Sequence, residues 1–541
     1  MSKKLSINIL LAFLVSLIFC EDSLAQKKKK DKSSSKKPNI LIIWGDDIGL
    51  WNISAYSNGQ MGYTTPGIDR IADEGVLFTD YYGEQSCTAG RSSFITGQSG
   101  LRTGMTKVGM PGFPQGQADD DITIAEVLKN QGYITAQYGK NHLGDADATL
   151  PTKHGFDEFY GFLYHLNAME EPEYPNYPKD PEFLKKFGPR GVLDCTSDGP
   201  VKDTGPLTVE RIKTIDDDIT KRSIAFMDKA IDQDKPFFVW WNAAKMHFRT
   251  HIKEESNGLS GRGFYNDGMV EHSNHVGQLL DYLDEKGIAD NTIVIYGTDN
   301  GPQTNSWPDG AISPFRMEKE TQYEGAYRVP FMIRWTDGGI SGGKKIQGMI
   351  SHLDWLPTLV AAAGDTDIKE KLLKGGYEAN GKSFKIHLDG YNMLPYLQGK
   401  VEDSPRKWFI YHTSEAEPVA VRQDIEGKMQ KMSLKWVFGE QRGKGGELWL
   451  EPFTWLRMPK AFDLKMDPFE RADYDSNTYM DWYINQIPYM YSAMAHMKEY
   501  AMTFKEYPAS QKPGSWKMSQ LKEMSYEVGP VGPGGSKKTG E

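Results

Sequence analysis

The stretch Asn39-Ile-Leu-Ile-Ile-Trp44-Gly45-Asp46-Asp47 predicts the fold of this 541-residue chain. Residues 40–44 are all apolar, which is typical of a strand buried on both faces of a parallel sheet. Two acids follow this strand directly. Because ligands of such sheets bind beyond the carboxyl ends of the strands, we expect these acids to lie at a functional edge.

Further strands and helices alternate along the chain. Apolar runs predict strands at residues 76–79, 133–138, 236–241 and 292–296. Apolar positions at helical spacing predict helices at residues 68–75, 122–131, 209–231 and 268–286. The alternation predicts the α/β class, with a large, mixed, mostly parallel sheet that is sandwiched by helices. Residues 160–205 are rich in Pro, Gly and charge, and we expect a long insertion there.

The composition changes after about residue 400. Short aromatic segments predict the strands of a small antiparallel sheet at residues 408–411, 435–438 and 448–450. Residues 479–504 predict a helix rich in Met and aromatic side chains. We therefore expect a main α/β domain over residues 38–400, and a smaller C-terminal α+β subdomain with its tail over residues 401–541. The tail after Val528 is expected to be loose.

The first residues predict export. A positive start, an apolar core over residues 9–19 and a cleavage site at Ser23-Leu-Ala25 are typical of a signal peptide over residues 1–25. A Lys/Ser-rich linker over residues 26–37 follows. No later segment is apolar enough to cross a membrane. The expected location is therefore the periplasm or the cell exterior.

The three cysteines leave two questions open. Cys20 offers lipid attachment instead of cleavage, but Phe19 before it is bulkier than the small residue that such sites favour. If cleavage removes Cys20, then Cys87 and Cys195 remain, and a single disulfide between them is compatible with their spacing. The formal net charge of -10 counts against a nucleic-acid partner, and an anionic substrate would need a local cluster of basic side chains.

Two acid pairs follow predicted strands. Asp46-Asp47 and Asp299-Asn300 offer the hard oxygen ligands that Ca²⁺ and Mg²⁺ prefer. One such pair alone is common in helix caps and solvated turns. Two pairs at matching strand ends favour a metal site.

Two Lys/His pairs also follow predicted strands. Lys140-x-His142 and Lys245-x-His247 can supply positive charge and proton transfer near neutral pH. His247 and His251 have the spacing of a helical zinc site, but the acid pairs favour a harder ion. His272 and His275 lie on a predicted helix and are expected to be surface or packing residues.

Arg91 follows Cys87 by one helical turn, and the Ser-Ser-Phe-Ile-Thr run that comes next, residues 92–96, predicts the start of a helix. A helix N-terminus carries free N–H groups and a partial positive charge, which suit a nucleophile that attacks an anionic substrate. The alternative is a buried, inert cysteine in a tight turn.

Seven motifs in order resemble the formylglycine-dependent (type I) sulfatases, in the arylsulfatase-like branch of the alkaline-phosphatase-like superfamily. They extend over roughly residues 38–475 and comprise Asn39 to Asp47, Cys87-Thr-Ala-Gly-Arg91 with Ser-Ser-Phe-Ile-Thr-Gly97, Gly139-Lys-Asn-His-Leu-Gly144, Gly297-Thr-Asp-Asn-Gly301, Lys319 with Tyr323-Glu-Gly325 and Arg328-Val-Pro330, Ser351-His-Leu-Asp-Trp-Leu-Pro-Thr358, and Phe462-Asp-Leu-Lys-Met-Asp-Pro468. Ala89 stands where the family most commonly has proline, which leaves open which maturation enzyme acts.

The resemblance implies a nucleophile and a metal. A formylglycine-generating maturation enzyme would oxidise Cys87, and the hydrate of the new aldehyde would supply the attacking hydroxyl. A Ca²⁺ ion, with Mg²⁺ as the alternative, would be bound by five residues. These are Asp46, Asp47, Asp299, Asn300 and the modified Cys87.

The resemblance also implies roles for the basic residues. Arg91 would orient the hydrate, and Lys140 and Lys319 would hold sulfate oxygens as charge builds. His247 would assist the leaving alcohol together with Lys319. His142 would take a proton from the second hydroxyl so that sulfate is expelled.

The implied function is hydrolysis of a sulfate monoester, either an aryl sulfate or a sulfated saccharide. Two alternatives stay open at this point. One is a phosphonate monoester or phosphodiester hydrolase of the same superfamily, because both substrates are tetrahedral anions. The other is a catalytically silent protein that binds sulfated glycans.

Overall fold

A computed structural model describes residues 37–304, 308, 310, 313–426 and 430–515. The predicted signal peptide, almost all of the linker and the tail after Val528 lie outside these residues. None of the helices found in the described ranges is long and apolar enough to cross a membrane.

Strands and helices alternate over most of the chain, and strands dominate between residues 377 and 463. The strands are β1 (Asn39–Gly45), β2 (Val76–Phe78), β3 (Tyr81–Tyr82), β4 (Ile134–Lys140), β5 (Glu158–Phe162), β6 (Leu193–Thr196), β7 (Lys202–Asp203), β8 (Phe237–Asn242), β9 (Thr292–Thr298), β10 (Phe331–Arg334), β11 (Lys344–Ile346), β12 (Ile350–Ser351), β13 (Tyr377–Ala379), β14 (Lys382–Phe384), β15 (Trp408–His412), β16 (Pro418–Glu426), β17 (Lys431–Glu440) and β18 (Thr454–Asp463). The α-helices are α1 (Ser54–Ser57), α2 (Pro66–Glu74), α3 (Cys87–Thr96), α4 (Gly100–Thr103), α5 (Ile124–Asn130), α6 (Leu166–Glu170), α7 (Pro181–Phe187), α8 (Val209–Asp232), α9 (Phe264–Glu285), α10 (Glu324–Tyr327), α11 (Trp355–Ala362), α12 (Ile368–Lys374), α13 (Leu394–Leu397), α14 (Ala472–Asp475) and α15 (Tyr479–Thr503).

A ten-stranded sheet forms the centre of the molecule, with the order β11-β2-β10-β9-β1-β8-β4-β5-β6-β7. The run β9-β1-β8-β4-β5 is parallel, and β10, β6 and β7 pair antiparallel with their neighbours. The predicted mixed, mostly parallel sheet is confirmed. The carboxyl ends of its central strands therefore share one edge.

The two faces of strand β1 enter two separate cores, because successive side chains of a strand point to opposite faces. Leu41 and Ile43 pack in the core that contains the apolar faces of α2, α8 and α9. Ile40 and Trp44 pack in the core that contains those of α3, α5 and α11. The apolar run of β1 is explained by helices on both faces of the sheet.

The segment expected as a long insertion contributes to one side of the central sheet. Strand β5 begins just before it and pairs parallel with β4, and β6 and β7 extend the sheet to its edge. Cys195 lies on β6 and is buried. Cys87 and Cys195 both have free thiols, so the disulfide that the sequence left open is not formed between them.

The C-terminal part carries a four-stranded antiparallel sheet of β15, β16, β17 and β18, as expected. The strand predicted at residues 448–450 is wrong, since Glu447–Trp449 is a 3-10 turn. Helix α15 covers one face of this sheet, where Trp436 and Leu434 pack with Tyr483 and Ala493. The other face packs against residues of the main body, including Tyr82.

Candidate active site

The ends of four neighbouring parallel strands bring the charged residues of the sequence motifs together. Strands β9, β1, β8 and β4 are adjacent in that order. Gly45 at the end of β1 pairs with Thr298 at the end of β9. The acids that follow these two residues, Asp46 and Asp299, consequently lie side by side at the edge of the sheet.

Three buried carboxylates converge at this edge. Asp46, Asp47 and Asp299 each contribute one oxygen, and these oxygens all lie within 4.8 Å of one another. The Nδ2 group of Asn300 donates to Asp47 Oδ1 at 2.7 Å. Oδ1 of Asp46 and Oδ1 of Asn300 are buried and have no hydrogen-bond partner in the described part of the chain. Converging hard oxygens that keep unused lone pairs fit a cation such as Ca²⁺ or Mg²⁺.

Three buried bases neutralise the three acids. Lys140 Nζ lies 2.5 Å from Asp46 Oδ2, and Lys319 Nζ lies 2.7 Å from Asp47 Oδ1. Burial alone would raise the pKa of the Asp47 carboxyl, but the Lys319 ammonium holds this pKa below its usual value. The third base is Arg91, which pairs with Asp299. We name the three acids and three bases the active-site cluster: Asp46, Asp47, Asp299, Lys140, Lys319 and Arg91.

Arg91 links several strand ends. Its Nη2 lies 2.9 Å from Asp299 Oδ2 and 3.6 Å from Asp46 Oδ1. Its Nη1 donates to Asn242 Oδ1 at 2.8 Å and to the carbonyl of Lys140 at 3.1 Å. The guanidinium is fully buried, so these contacts fix its orientation. Asn242, at the end of β8, was not predicted as a site residue.

Cys87 is the first residue of helix α3 and is fully buried. Its Sγ lies 3.8 Å from Lys319 Nζ. One turn of helix brings Gly90 against the backbone of Asp299, where a Cβ would lie 2.2 Å from the carbonyl oxygen, so only glycine fits. Burial raises the pKa of the Cys87 thiol despite the nearby lysines. At neutral pH the thiol is protonated, and a protonated thiol is a poor nucleophile.

His142 and His247 adjoin this cluster with defined ring orientations. His142 Nε2 lies 2.9 Å from the carbonyl oxygen of Gly109, and His247 Nδ1 lies 2.7 Å from that of Phe248. Because a carbonyl only accepts, each of these nitrogens carries the hydrogen. His247 Nε2 then faces Asp47 Oδ2 at 3.6 Å. Burial lowers the pKa of His142 well below its usual value and that of His247 to about 3, so both rings are neutral at pH 7.

Two backbone conformations at the site are uncommon. Asp47 and His142 have φ values of 56° and 61°, in the left-handed region that non-glycine residues seldom adopt. Such residues cost about 1–3 kcal/mol each and cluster at functional sites. Here the Asp47 side chain contacts Asn300 and Lys319, and the His142 side chain contacts the Gly109 carbonyl.

A third histidine, His165, was missed by the sequence analysis. Its ring is stacked on that of His247, with centroids 5.8 Å apart and an interplanar angle of 9°. It also lies edge-on to His142, at 5.6 Å. Its Nδ1 accepts the Ala168 N–H and so caps helix α6. A lone histidine outside the strand ends has no pattern that would have identified it.

Lys245 is not part of the site. Its Nζ pairs with Asp216 Oδ2 at 3.2 Å and with Glu271 Oε1 at 2.9 Å, in the core between β8 and its helices. Of the Lys/His pair that follows β8, only His247 therefore belongs to the site, because the Lys245 side chain points into the core.

The remaining histidines of the sequence analysis have other partners. His251 Nε2 pairs with Glu170 Oε2 at 2.7 Å, so the zinc alternative with His247 finds no support. His272 is buried against Tyr296. His275 pairs with Asp217 at 2.7 Å. The last two are packing residues, as expected.

The fold and the site together define an α/β enzyme whose charged centre lies at the carboxyl edge of a parallel sheet. The chain belongs to the Sulfatase family, whose family model matches residues 38–365. It is a sulfatase enzyme of the arylsulfatase-like branch.

Curated relatives and a solved structure support this assignment. Arylsulfatase A of Bos taurus is 31% identical over 455 residues, which are 81% of this chain and 83% of the relative. N-acetylgalactosamine-6-sulfatase of Homo sapiens is 29% identical over 389 residues, 68% of this chain and 67% of the relative. The PsFucS1 sulfatase from Pseudoalteromonas sp. is 27% identical in sequence and has a TM-score of 0.75, with 90% of this chain and 94% of that chain covered.

Proposed function

We propose that this sulfatase hydrolyses a sulfate monoester at the active-site cluster, with a formylglycine made from Cys87 and a bound Ca²⁺ ion. The observation that carries the proposal is the charge balance of the cluster. Its three acids and three bases cancel, so a divalent cation gives the buried site a surplus of positive charge. A buried positive site is suited to an anionic ester and to the charge that develops in its transition state.

The residues of the site fit both the formylglycine and the Ca²⁺ ion. When they are in place, formylglycine supplies a nucleophilic hydroxyl and Ca²⁺ polarises the ester and the nucleophile. Asp46, Asp47, Asp299, Asn300 and the modified Cys87 would hold the ion, and Mg²⁺ is the alternative. The bare oxygens of Asp46 and Asn300 support this ligand set. The raised pKa of the Cys87 thiol supports a modified residue, since the thiol itself is not the reactive form.

The basic residues take up the substrate charge. Lys140 and Lys319 contact the carboxylates of Asp46 and Asp47. With those carboxylates bound to the ion, the two ammonium groups would be free to bind sulfate oxygens. Arg91 would keep the modified side chain oriented. Lys319 is protonated, because Asp47 raises its pKa against the effect of burial, and it can pass a proton to the leaving alcohol. His247, beside Asp47, would assist this step, and a sulfate ester close to its ring would favour the charged form.

His142 would act as the base of the second half-reaction. Its Nε2 hydrogen is held by the Gly109 carbonyl, and its Nδ1 is buried with no hydrogen-bond partner in the residues described. The neutral ring therefore has a free lone pair at Nδ1 that can accept a proton from a hydroxyl.

The relatives suggest a class of substrate. The names of two of them, N-acetylgalactosamine-6-sulfatase and arylsulfatase A, point to sulfated sugars and to aryl sulfates respectively. We propose a sulfated saccharide as the natural substrate class and an aryl sulfate as a convenient synthetic one.

Two measurements on the purified enzyme test the proposal. Intact mass of the Cys87 peptide is expected to show an aldehyde or its hydrate instead of a thiol. Rates are then compared on an aryl sulfate, an aryl phosphodiester, an aryl phosphonate and a panel of sulfated saccharides. A large advantage for the phosphodiester or phosphonate would contradict the sulfate assignment. Binding of sulfated glycans without turnover would indicate the silent alternative.

Export and maturation are proposed from the sequence alone. A mature chain that begins near Gln26 would support a cleaved signal peptide, whereas a lipid-modified Cys20 at the N-terminus would support membrane anchoring. Ala89 in the Cys87 motif makes the maturation enzyme a separate question. Expressing the chain with different formylglycine-generating enzymes and measuring the extent of conversion would answer it.

A further inference from the structure

The segment around Gln511 has no role in the proposed reaction, yet it contacts a loop of the active site. We name residues 510–515 the C-terminal strap and residues 103–116 the Gly109 loop. The side-chain Nε2 of Gln511 donates to the carbonyl oxygen of Thr103 at 2.8 Å and to that of Gly116 at 2.7 Å. The N–H of Gly116 also points at Gln511 Oε1, at 3.4 Å. One side-chain amide therefore joins the two ends of the loop.

The strap and the base of the loop fit closely. The N–H of Ser510 donates to the carbonyl of Arg102 at 2.8 Å, and its hydroxyl donates to Asp121 Oδ2 at 2.8 Å. Gly104 has a φ of 66°, and a Cβ there would lie 2.5 Å from the carbonyl oxygen of Gln511. Only glycine allows this approach, so the strap can pack against the loop because position 104 has no side chain.

The middle of the Gly109 loop contacts Thr88, which follows the nucleophile, and two histidines of the site. The carbonyl of Gly109 accepts from His142 Nε2, and its N–H donates to Thr88 Oγ1 at 3.0 Å. Met110 Sδ lies 3.0 Å from His165 Nε2. Because the Gly109 carbonyl can only accept, its position decides which nitrogen of His142 keeps the hydrogen and which one is bare.

We propose that Gln511 is a positioning residue for His142. By closing the base of the Gly109 loop, Gln511 keeps the Gly109 carbonyl where it holds the His142 ring in one tautomer and one orientation. Its effect on catalysis rests on the proposed role of His142 as a base, whereas its effect on the loop does not.

The test compares Gln511→Ala and Gln511→Glu with the wild type. The glutamate variant keeps the size of the side chain but turns a carboxylate towards two carbonyl oxygens, so it loses both donors and adds repulsion. The control is Tyr507→Phe, which removes a hydrogen bond to the carbonyl of Leu373, away from the loop. Hydrogen–deuterium exchange of peptides over residues 103–116 is measured together with kcat and KM on an aryl sulfate.

We expect faster exchange in the Gly109 loop for both Gln511 variants and unchanged exchange in the rest of the chain. A misplaced catalytic group lowers kcat, here by about tenfold, with KM within about twofold of the wild type. Tyr507→Phe is expected to behave as the wild type.

Three results would overturn the proposal: wild-type exchange in the loop, a kcat that stays unchanged while exchange rises, or faster exchange throughout the chain. If the wild type fails to hydrolyse any sulfate ester, the proposed function is wrong. The exchange data still decide whether Gln511 closes the loop.

Discussion

Two of the buried charge clusters in the described part of the chain are built differently. The first is the active-site cluster. The second, which we name the interface cluster, lies where the C-terminal sheet packs against the main body. It contains three acids and three bases, namely Asp80, Glu324, Glu470, Arg328, Arg422 and Lys435.

The carboxylates of the interface cluster are compensated from within the protein. Asp80 Oδ1 and Glu470 Oε1 accept no hydrogen bond from the described residues, but each has a basic group in close contact, Arg328 Nη2 at 2.7 Å and Lys435 Nζ at 2.8 Å respectively. Glu324 accepts from the hydroxyls of Tyr82 at 2.6 Å and Tyr411 at 2.7 Å, one on each oxygen. Lys435 Nζ lies 3.0 Å from Glu324 Oε1 and 2.8 Å from Glu470 Oε1. Burial alone would raise the pKa of the Glu324 carboxyl, but Lys435 holds it below its usual value.

The active-site cluster, in contrast, leaves binding capacity unused. Asp46 Oδ1, which lies 3.6 Å from Arg91 Nη2, and Asn300 Oδ1 have no hydrogen-bond partner among the described residues. Buried polar groups are normally satisfied, so each exception needs an explanation. The comparison teaches that buried charge alone does not indicate function. Converging acids with unused oxygens indicate a ligand, and a network that satisfies itself indicates a structural role.

The largest expected effect is at Cys87. Cys87→Ala is expected to lower turnover by on the order of 10³-fold or more, because the precursor of the nucleophile is lost. The melting temperature should change little. Cys195→Ala is the matched control, since Cys195 is also a buried free thiol but lies on β6, away from the cluster. Activity of Cys87→Ala near that of the wild type would refute the mechanism.

The second prediction separates the two clusters by stability. Lys435→Met leaves the buried carboxylates of Glu324 and Glu470 facing each other without their shared cation. Removing one partner of a buried ion pair costs about 3–5 kcal/mol of unfolding free energy, to be measured by urea unfolding. The activity of each folded molecule is expected to persist.

Lys319→Met is the matched variant in the active-site cluster. We expect it to reduce activity severely and stability less, because Asp47 keeps its contact with Asn300 and its place in the proposed metal site. If Lys435→Met reduced activity per folded molecule as much as Lys319→Met does, the distinction between the clusters would fail.

Much of the fold was predictable from the sequence, because the parallel strands are apolar on both faces. Strands β1, β8 and β9 have this character, and they were predicted close to their observed bounds. Strand β4, which alternates Thr135 and Gln137 with Ala136 and Tyr138, was also predicted close to its bounds. Strand β18 was not predicted. Several of its residues are exposed, so its sequence lacks a continuous apolar run. The apolar stretch 448–450 was mistaken for a strand because short runs do not distinguish strands from other structures.

The site was predictable where charged residues directly follow strands, as at Asp46 and Asp299. It was not predictable where a contact depends on the orientation of a side chain or on residues that are far apart in sequence. Lys245 follows β8 but points into the core towards Asp216. Asn242 reaches the site through Arg91, 151 positions away in sequence, and His165 through its stacking on His247, which no local pattern reports.

The third prediction concerns the proposed ion. Ca²⁺ at about 100 times its dissociation constant is expected to raise the unfolding free energy by about 2.7 kcal/mol, because it binds only the folded chain. Thermal melts across a Ca²⁺ series, after treatment with a chelator, measure this effect. Asp46→Asn should lose most of it, since the amide replaces a charged ligand. Tyr411→Phe, which alters a contact of the interface cluster, should keep it.

An equal response of Asp46→Asn and the wild type to Ca²⁺ would place the ion elsewhere. A larger response to Mg²⁺ than to Ca²⁺ would favour the smaller ion in the same ligand set. The absence of any response to either cation would contradict the metal site.

The smallest expected effect is that of a single hydroxyl that donates to the interface cluster. Tyr411→Phe removes the hydrogen bond to Glu324 Oε1 but leaves Lys435 beside the same oxygen. We expect a loss of about 1–2 kcal/mol in unfolding free energy, since a buried acceptor loses one of its two partners, and no change in kcat. A loss as large as that of Lys435→Met would mean that the hydroxyl and the ammonium act as one unit. A double-mutant cycle between positions 411 and 435 would measure this coupling directly.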